Sequence, residues 1–227
     1  MRSLLRTPRD LVRDASLVWL ASGVVGVSFG AISVAGGLPL WVPVVLSLLV
    51  YAGSAQLSAV GVLLAGGGPL AAAATGLLLN TRTVAFGLAV ADVLGRGRVA
   101  RLLGAHLVTD ETVAFALAQE DPARRRAAFW ISGVGLFAVW NLGVLAGALA
   151  GGALGDTARY GLDAAFPAVL VALVLPTLRK DPAVRRAALL GAAVALAVTP
   201  LVPAGLPVLL ALAGLALYGR HGKTVTA

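Results

Sequence analysis

An arginine with polar neighbours interrupts an apolar part of the sequence. The stretch Leu79-Asn80-Thr81-Arg82-Thr83 places a guanidinium, an amide and two hydroxyls inside the apolar run 70–94. An arginine at the centre of a membrane-spanning helix costs about 2.5–3.5 kcal/mol on insertion scales, so its presence there indicates a function. A guanidinium at this depth can pair with the carboxylate of a substrate or of another helix. If Arg82 instead lies at a helix end near the cytosol, it is only a topology signal.

Two other apolar runs carry groups that can complete the same site. Asp110 and Glu111 interrupt the run 102–119, and Ser54 and Gln56 lie in the middle of the run 38–65. Polar groups in hydrocarbon need a partner or water, so these residues are candidates for pairing with Arg82 or with a ligand. The structural alternatives are an extramembrane loop for the two acids and interhelical hydrogen bonds for Ser54 and Gln56.

His106 is a candidate for proton transfer. It lies one helical turn before Asp110, so the two side chains are expected to share a helix face, and an imidazole titrates near neutrality. A structurally satisfied histidine is the alternative. The break at Asn80 also suggests that Thr81 or Thr83 caps a new helix whose first amides are free.

The composition requires a membrane environment for these residues. Hydrophobic residues make up 59% of the 227 residues, charged residues only 12%, and the mean hydropathy is +0.93. A soluble domain of this size cannot bury so much apolar surface. The apolar runs are long and lack the alternation of barrel strands, so the fold class predicted is an all-α integral membrane protein.

The charge pattern excludes several classes of function. The formal net charge is +8, but the arginines form short clusters between apolar runs, which is typical of cytosolic loops and not of nucleic-acid binding. With no cysteine and two histidines, a thiolate or histidine metal site is not expected, and no cofactor is predicted. The absence of a Walker motif excludes ATP hydrolysis by this chain.

About eight hydrophobic segments follow one another in the chain. They are residues 15–37, 38–65, 70–94, 102–119, 127–150, 162–178, 187–201 and 206–218. We predict a basic cytosolic N-terminus over residues 1–14, a single transmembrane domain over 15–219 and a cytosolic tail over 220–227. Small residues spaced by four, Ser22, Gly26 and Gly30, and then Gly143, Gly147 and Gly151, predict two faces of close helix contact.

The topology of the first half has two solutions. If all eight segments cross, the basic link 96–101 lies outside, against the charge rule. If segments three and four instead fold back at residues 80–82 and 110–111, every basic cluster is cytosolic. Irregular backbone at membrane depth needs protein or a cavity around it, and the segments are long enough to cross, so crossing is preferred.

Polar groups and helix breaks within one half of a membrane bundle are typical of a secondary carrier with a central site. Four motifs in this order resemble the AzlC family, the large subunit of bacterial branched-chain amino acid permeases. The motifs are Gly26-Val27-Ser28-Phe29-Gly30, Tyr51-Ala52-Gly53-Ser54-Ala55-Gln56, Leu79-Asn80-Thr81-Arg82 and Thr109-Asp110-Glu111-Thr112. The similarity runs from about residue 15 to 218. It departs at Thr83, often histidine in the family, and at Leu57, usually aromatic.

The resemblance implies export of valine, leucine and isoleucine across the inner membrane, with methionine as a further candidate substrate, together with a small hydrophobic AzlD-type subunit. It implies no enzyme activity. The candidate substrate-binding residues are Ser28, Gly30, Ser54, Gln56, Asn80, Arg82, Asp110 and Glu111, with His106 for proton transfer. The alternatives are a carrier of another small carboxylate, an intramembrane enzyme and a scaffold subunit. Rhomboid and aspartyl protease patterns are not matched by Gly53-Ser54 or Thr109-Asp110.

Overall fold

A computed structural model describes residues 8–153, 171, 174–202 and 206–214, and this part of the chain is all-helical. The helices are α1 (Pro8–Ala35), α2 (Trp41–Leu49), α3 (Gly53–Leu64), α4 (Pro69–Asn80), α5 (Arg82–Ala89), α6 (Arg98–His106), α7 (Asp110–Leu117), α8 (Pro122–Ala153), α9 (Pro182–Val198) and α10 (Leu206–Leu210). Residues 174–180 are also helical. The predicted all-α class is confirmed. Parts of the predicted terminal regions and of the segments 162–178 and 206–218 lie outside the described residues.

Two helices dominate the described structure. By length and composition, Asp10–Ala35 and Pro122–Ala153 are long and apolar enough to cross a membrane. Segments two, three and four are instead each divided into two helices of 8 to 12 residues. At 1.5 Å per residue these are about 12–18 Å long, roughly half of a 30 Å hydrocarbon core. Eight continuous crossings are therefore not confirmed.

The long helices α1 and α8 pack in parallel through glycines. Trp19 contacts the position of Gly135, Gly23 that of Val139, and Ala31 that of Gly151, so contacts advance in the same direction along both helices. A Cβ at Gly30 or Gly147 would collide with a backbone carbonyl of the opposite helix. Both predicted small-residue faces are confirmed, and they meet each other.

The N-terminal end of α8, which carries Arg124, Arg125 and Arg126, is called the basic end. Two other elements are tied to it. Arg125 donates to the carbonyl oxygen of Ala89 at the end of α5 (2.7 Å), and Arg124 donates to Gln119 just after α7 (2.7 Å). The indole of Trp130 also donates to Val93 (3.0 Å). The link between α5 and α6, which contains Arg96, therefore lies at the basic end as well, and α6 starts from it with Arg98.

The second segment forms a hairpin that opens at the opposite end, called the far end. The hydroxyl of Ser47 in α2 bonds to Asn141, near the middle of α8. The chain reverses at Tyr51, whose ring meets Phe137 at a centroid distance of 4.8 Å. Leu64, the last residue of α3, then contacts Gly36 just beyond the C-terminus of α1. This α2–α3 hairpin enters from the far end and returns there.

The third segment runs from the far end to the basic end in two pieces. A tight turn with Gly66 at φ +82 reverses the chain after α3, and α4 packs back against α3. The axis is interrupted at Thr81, and α5 continues until Ala89 meets Arg125.

The fourth segment is a second hairpin, of opposite orientation. From the basic end, α6 reaches the middle of α8, where His106 meets the ring of Phe137 at a centroid distance of 5.6 Å. The helix ends at residues 107–109, and Thr112 in α7 lies beside Gly133. The return ends at Gln119, at the basic end.

Each predicted topology agrees with this part of the chain only in part: segment four folds back near Asp110, as the hairpin alternative predicted. Segment three, one of the two expected to fold back together, runs between the ends, whereas segment two, expected to cross, folds back. The physical reason is the left-handed backbone at Tyr51 (φ +41), which turns α3 away from the direction of α2. The basic link that begins at Arg96 nevertheless lies at the same end as Arg124, Arg125 and Arg126, as the charge pattern favoured.

Gly147→Ala is expected to destabilise the fold, because the new methyl group meets the backbone of Val27. Overpacking of this kind costs about 1–3 kcal/mol. Thermal unfolding of the purified protein measures it. Gly152→Ala is the matched control, since its Cβ would be 3.9 Å from the nearest atom, Val34. Equal melting temperatures for the two variants would contradict the glycine interface.

Single cysteines in this cysteine-free chain test the hairpin arrangement. A membrane-impermeant maleimide should label Arg98→Cys and Arg126→Cys from the same side and Gly68→Cys from the other side. Uninterrupted crossing of segments two to four would put Arg98→Cys on the side opposite to Arg126→Cys, so that labelling pattern would refute the two hairpins.

Candidate functional site

The breaks of all three divided segments meet at one cavity. It has a volume of about 880 Å3 and is lined by Tyr51, Ala52, Gly53 and Ser54, by Arg82 and Thr83, and by Val108, Thr109, Asp110 and Glu111. Apolar walls come from α1, α3 and α8, through residues such as Val25, Leu57 and Leu136, and from the region 174–188. The volume falls in the range of about 300–1,000 Å3 that is usual for small-ligand sites.

Arg82 joins the three breaks. Its Nη1 donates to Oδ2 of Asp110 (2.8 Å), and its Nη2 donates to Oγ of Ser54 (2.8 Å). The side chains of Arg82 and Asp110 are 44% and 49% exposed, so both remain reachable from the cavity. The predicted pairing of Arg82 with one of the two acids is confirmed for Asp110.

The start of α5 is a kink and does not have a side-chain cap. Thr81 has right-handed helical dihedrals (φ −56, ψ −29), and its hydroxyl donates back to Leu78 (2.7 Å). The hydroxyl of Thr83 donates to the carbonyl oxygen of Asn80 (2.6 Å). The predicted capping by Thr81 or Thr83 is therefore wrong: both hydroxyls satisfy carbonyls at the end of α4 instead, a known alternative to capping.

The start of α7 is fully capped. The amide of Thr112 donates to the hydroxyl of Thr109 (3.3 Å), and the amide of Thr109 donates to the hydroxyl of Thr112 (2.8 Å). Asp110 and Glu111 occupy the first turn, where negative charge interacts favourably with the helix dipole. The cap fixes the direction in which Asp110 leaves the helix.

The start of α3 has no such cap. Ala52 occupies the N-cap position in an extended conformation and has no side-chain acceptor. The turn is held instead by Gln56, which is fully buried and donates through Nε2 to the carbonyl oxygen of Leu46 (2.7 Å). The first amides of α3 therefore have no side-chain cap, and Gly53 and Ser54 of this first turn line the cavity.

Four of the predicted binding residues line the cavity: Ser54, Arg82, Asp110 and Glu111. The other four do not line it. Gln56 bonds to the hairpin backbone, and Asn80 lies at the end of α4. Their predicted contact with substrate stays a prediction.

Ser28 and Gly30 have roles within the helix pair. Ser28 donates its hydroxyl to Val24 of its own helix (3.0 Å), and Gly30 lies against the backbone of Val144 and Ala148 in α8. Their predicted substrate contact also stays a prediction, and the structure gives Gly30 a packing function.

His106 lies behind the cavity wall. Its Nε2 is 2.9 Å from the carbonyl oxygen of Leu48, which can only accept, so Nε2–H is the donor. The ring packs against both Tyr51 and Phe137, which also contact each other. The prediction that His106 and Asp110 share one helix face is wrong, because the helix breaks between them. The proton-transfer role is untested.

Two aromatic residues in the cavity wall were not predicted as site residues. Tyr51 belongs to a motif in which only Ser54 and Gln56 are candidates, and Trp140 belongs to none of the four motifs. Trp140 does pack, with its ring stacked on Phe29 at a centroid distance of 6.2 Å. Both nevertheless line the cavity. Their position beside the first break becomes evident only once the hairpin is folded.

A family model described as "AzlC protein" matches residues 18–154. The chain belongs to the AzlC family. The matched region covers α1 to α8, and so includes both hairpins and the polar side chains of the cavity that they surround. No curated protein and no solved structure matches the chain. The AzlC family and the apolar helices identify a membrane transport-related subunit.

Thr109→Ala should lower the stability of this AzlC-family chain by about 0.5–2 kcal/mol, because the first turn of α7 loses its cap. Thr109→Ser keeps an acceptor oxygen and should restore most of the loss. Thermal unfolding of the purified variants compares them. If alanine and serine are equivalent, the capping box does not hold α7.

Proposed function

We propose that this chain is the large subunit of a secondary carrier that exports branched-chain amino acids across the bacterial inner membrane. The single observation that carries the proposal is the Arg82–Asp110 ion pair at the meeting point of three broken segments. A charged pair beside an apolar wall is suited to a ligand that carries two opposite charges and a hydrocarbon side chain. The AzlC family supports a transport role.

A zwitterionic ligand can replace the ion pair without leaving a charge unpaired. Its carboxylate pairs with Arg82, and its ammonium pairs with Asp110 or Glu111. A ligand with a carboxylate alone would separate Arg82 from Asp110 and leave the acid without its partner, which is costly in a site with little water. This exchange favours amino acids over simple acids or amines.

The apolar walls suit an aliphatic side chain. Leu57 and Leu136 line the cavity and are almost completely buried, and Val25 lines it with them. Burying each CH2 group of a ligand contributes about 0.8 kcal/mol. Valine, leucine and isoleucine gain from this burial, whereas small or polar amino acids do not.

The orientation follows from the basic end. Its arginines are most stable on the cytosolic side, which places the opening of the α2–α3 hairpin outside and that of the α6–α7 hairpin inside. We propose that both termini are cytosolic. We further propose that a small hydrophobic AzlD-type subunit covers part of the exposed apolar helix surface.

Arg82→Ala should reduce valine export at least about tenfold, because a carboxylate in the cavity loses its cation. Cells without their own exporter, loaded with a valine-containing dipeptide, provide the assay when the chain and its small partner are expressed together. Arg126→Ala, at the exposed start of α8, is the matched control and should export normally.

Two results would contradict the proposal in different ways. Valine efflux that does not depend on expression of the chain would refute amino acid export. Normal efflux by Arg82→Ala, with the variant present in the membrane, would make Arg82 a structural residue. Expression-dependent release of a different carboxylate, without valine, would favour a carrier for that substrate.

A further inference from the structure

Two consecutive parts of the chain have the same order of elements but opposite orientations. In the first unit (residues 8–64), α1 runs from the basic end to the far end, and the α2–α3 hairpin then enters from the far end. In the second unit (residues 69–117), α4 and α5 run from the far end to the basic end, and the α6–α7 hairpin then enters from the basic end.

The hairpins of the two units match in length and register. Helices α2 (Trp41–Leu49) and α6 (Arg98–His106) are both nine residues long and start 57 positions apart. The same offset separates Gly53 and Asp110, where α3 and α7 start. Residues of the two units that are 57 positions apart are called matching residues. This common register indicates an internal inverted repeat, an architecture in which carriers place the substrate site where the repeats meet.

The cavity lies where matching residues of the two units meet. Six pairs of lining residues are separated by the offset of 57: Ser22 and Leu79, Val25 and Arg82, and each residue of 51–54 with its match in 108–111. The first helix and the hairpin tip of each unit therefore contribute the same positions to the wall. A two-fold axis that exchanges the units passes through the cavity.

Away from this axis the cavity is not symmetric. It continues along α1 toward the basic end, where Leu17 and Val18 line it. Their matching residues in α4, Ala74 and Thr75, lie toward the far end; the structure describes both, and neither lines the cavity. Leu17 is 73% exposed, whereas Thr75 is 2% exposed. The cavity therefore extends toward the basic end.

On the far-end side, contacts between α3 and α4 close the cavity. Ala59 and Val62 of α3 form a buried cluster with Ala72 of α4. A Cβ at Gly76 in α4 would lie 3.8 Å from the Cβ of Ala59. Leu57 lines the cavity just before this cluster and marks its limit along α3. A ligand can leave toward the far end only if α3 and α4 separate.

We propose that the structure is one of two states of this inverted repeat, and that the ligand leaves along α4 toward the far end when α3 and α4 separate. In the second state, Ala74 and Thr75 line the cavity as Leu17 and Val18 do here. Exchange of conformation between the inverted units converts one state into the other, while the site on the axis stays in place. The inference rests on the proposed function, which requires a carrier to open to both sides.

A disulfide between α3 and α4 tests this exit path. The chain has no cysteine, and the 3.8 Å between the Cβ positions of residues 59 and 76 fits disulfide geometry. After oxidation, the double variant Ala59→Cys/Gly76→Cys should lose valine export but keep valine binding from the basic end, because only the far-end path is locked. Reduction should restore export. Each single variant, oxidised in the same way, is a matched control and should export normally.

Labelling of another position tests the path without any substrate. Ala74→Cys should react with a membrane-impermeant maleimide from the far end, because a thiol reacts where water allows it to ionise. The disulfide between positions 59 and 76 should slow this labelling by at least about tenfold, since it removes that access. Leu17→Cys is the control, because it should react from the basic end with or without the disulfide.

Several results would overturn the exit path. They are normal valine export by the oxidised double variant, loss of its valine binding, and unchanged labelling of Ala74→Cys in the oxidised chain. Failure of the two cysteines to cross-link would contradict the α3–α4 contact itself. If the unaltered chain exports no valine but the disulfide still protects Ala74→Cys, only the proposed function is wrong. If valine is exported and the disulfide has no effect, only the path is wrong.

Discussion

The close parallel contact of α1 and α8 is the constraint on which the rest of the structure depends. Glycines on each helix let the backbone of the other helix approach closely. The contacts advance in the same direction along both helices, so α1 and α8 are parallel. The chain between them must therefore return to the basic end before α8 starts. The third segment, α4 followed by α5, runs once from the far end to the basic end and provides that return. Each of the two hairpins starts and finishes at the same end of the protein, so the hairpins do not change the end at which the chain arrives.

Two hairpins of opposite orientation put irregular backbone in the middle of the protein, where it lines a cavity. Open backbone groups at this depth are tolerated only in such a setting. The two tips are not equivalent, because Thr109 caps one and Ala52 leaves the other uncapped. Arg82 lies between them and bonds to both, so the kink in the third segment connects two chemically different ends.

The sequence predicted the all-helical class, the glycine faces and the breaks near Arg82 and Asp110, because these depend on composition and local spacing. It did not predict the reversal at Tyr51, since a left-handed turn is normally indicated by glycine or asparagine. From the sequence, Thr81 could cap α5 or bond back to α4. Its hydroxyl can accept from a backbone amide later in the chain or donate to a backbone carbonyl oxygen earlier in the chain. Which part of Trp140 faces the cavity depends on the hairpin that packs against it. The residues next to Trp140 in the sequence do not indicate that contact.

The parallel helix pair also has a consequence for biogenesis. The indole of Trp19 in α1 bonds to Ser132 in α8, 113 residues later. At about 5–20 residues per second, roughly 6–23 s of translation separate the two partners. During that interval the six half-length helices have only α1 as a long neighbour, so their packing is completed only after α8 has been synthesised.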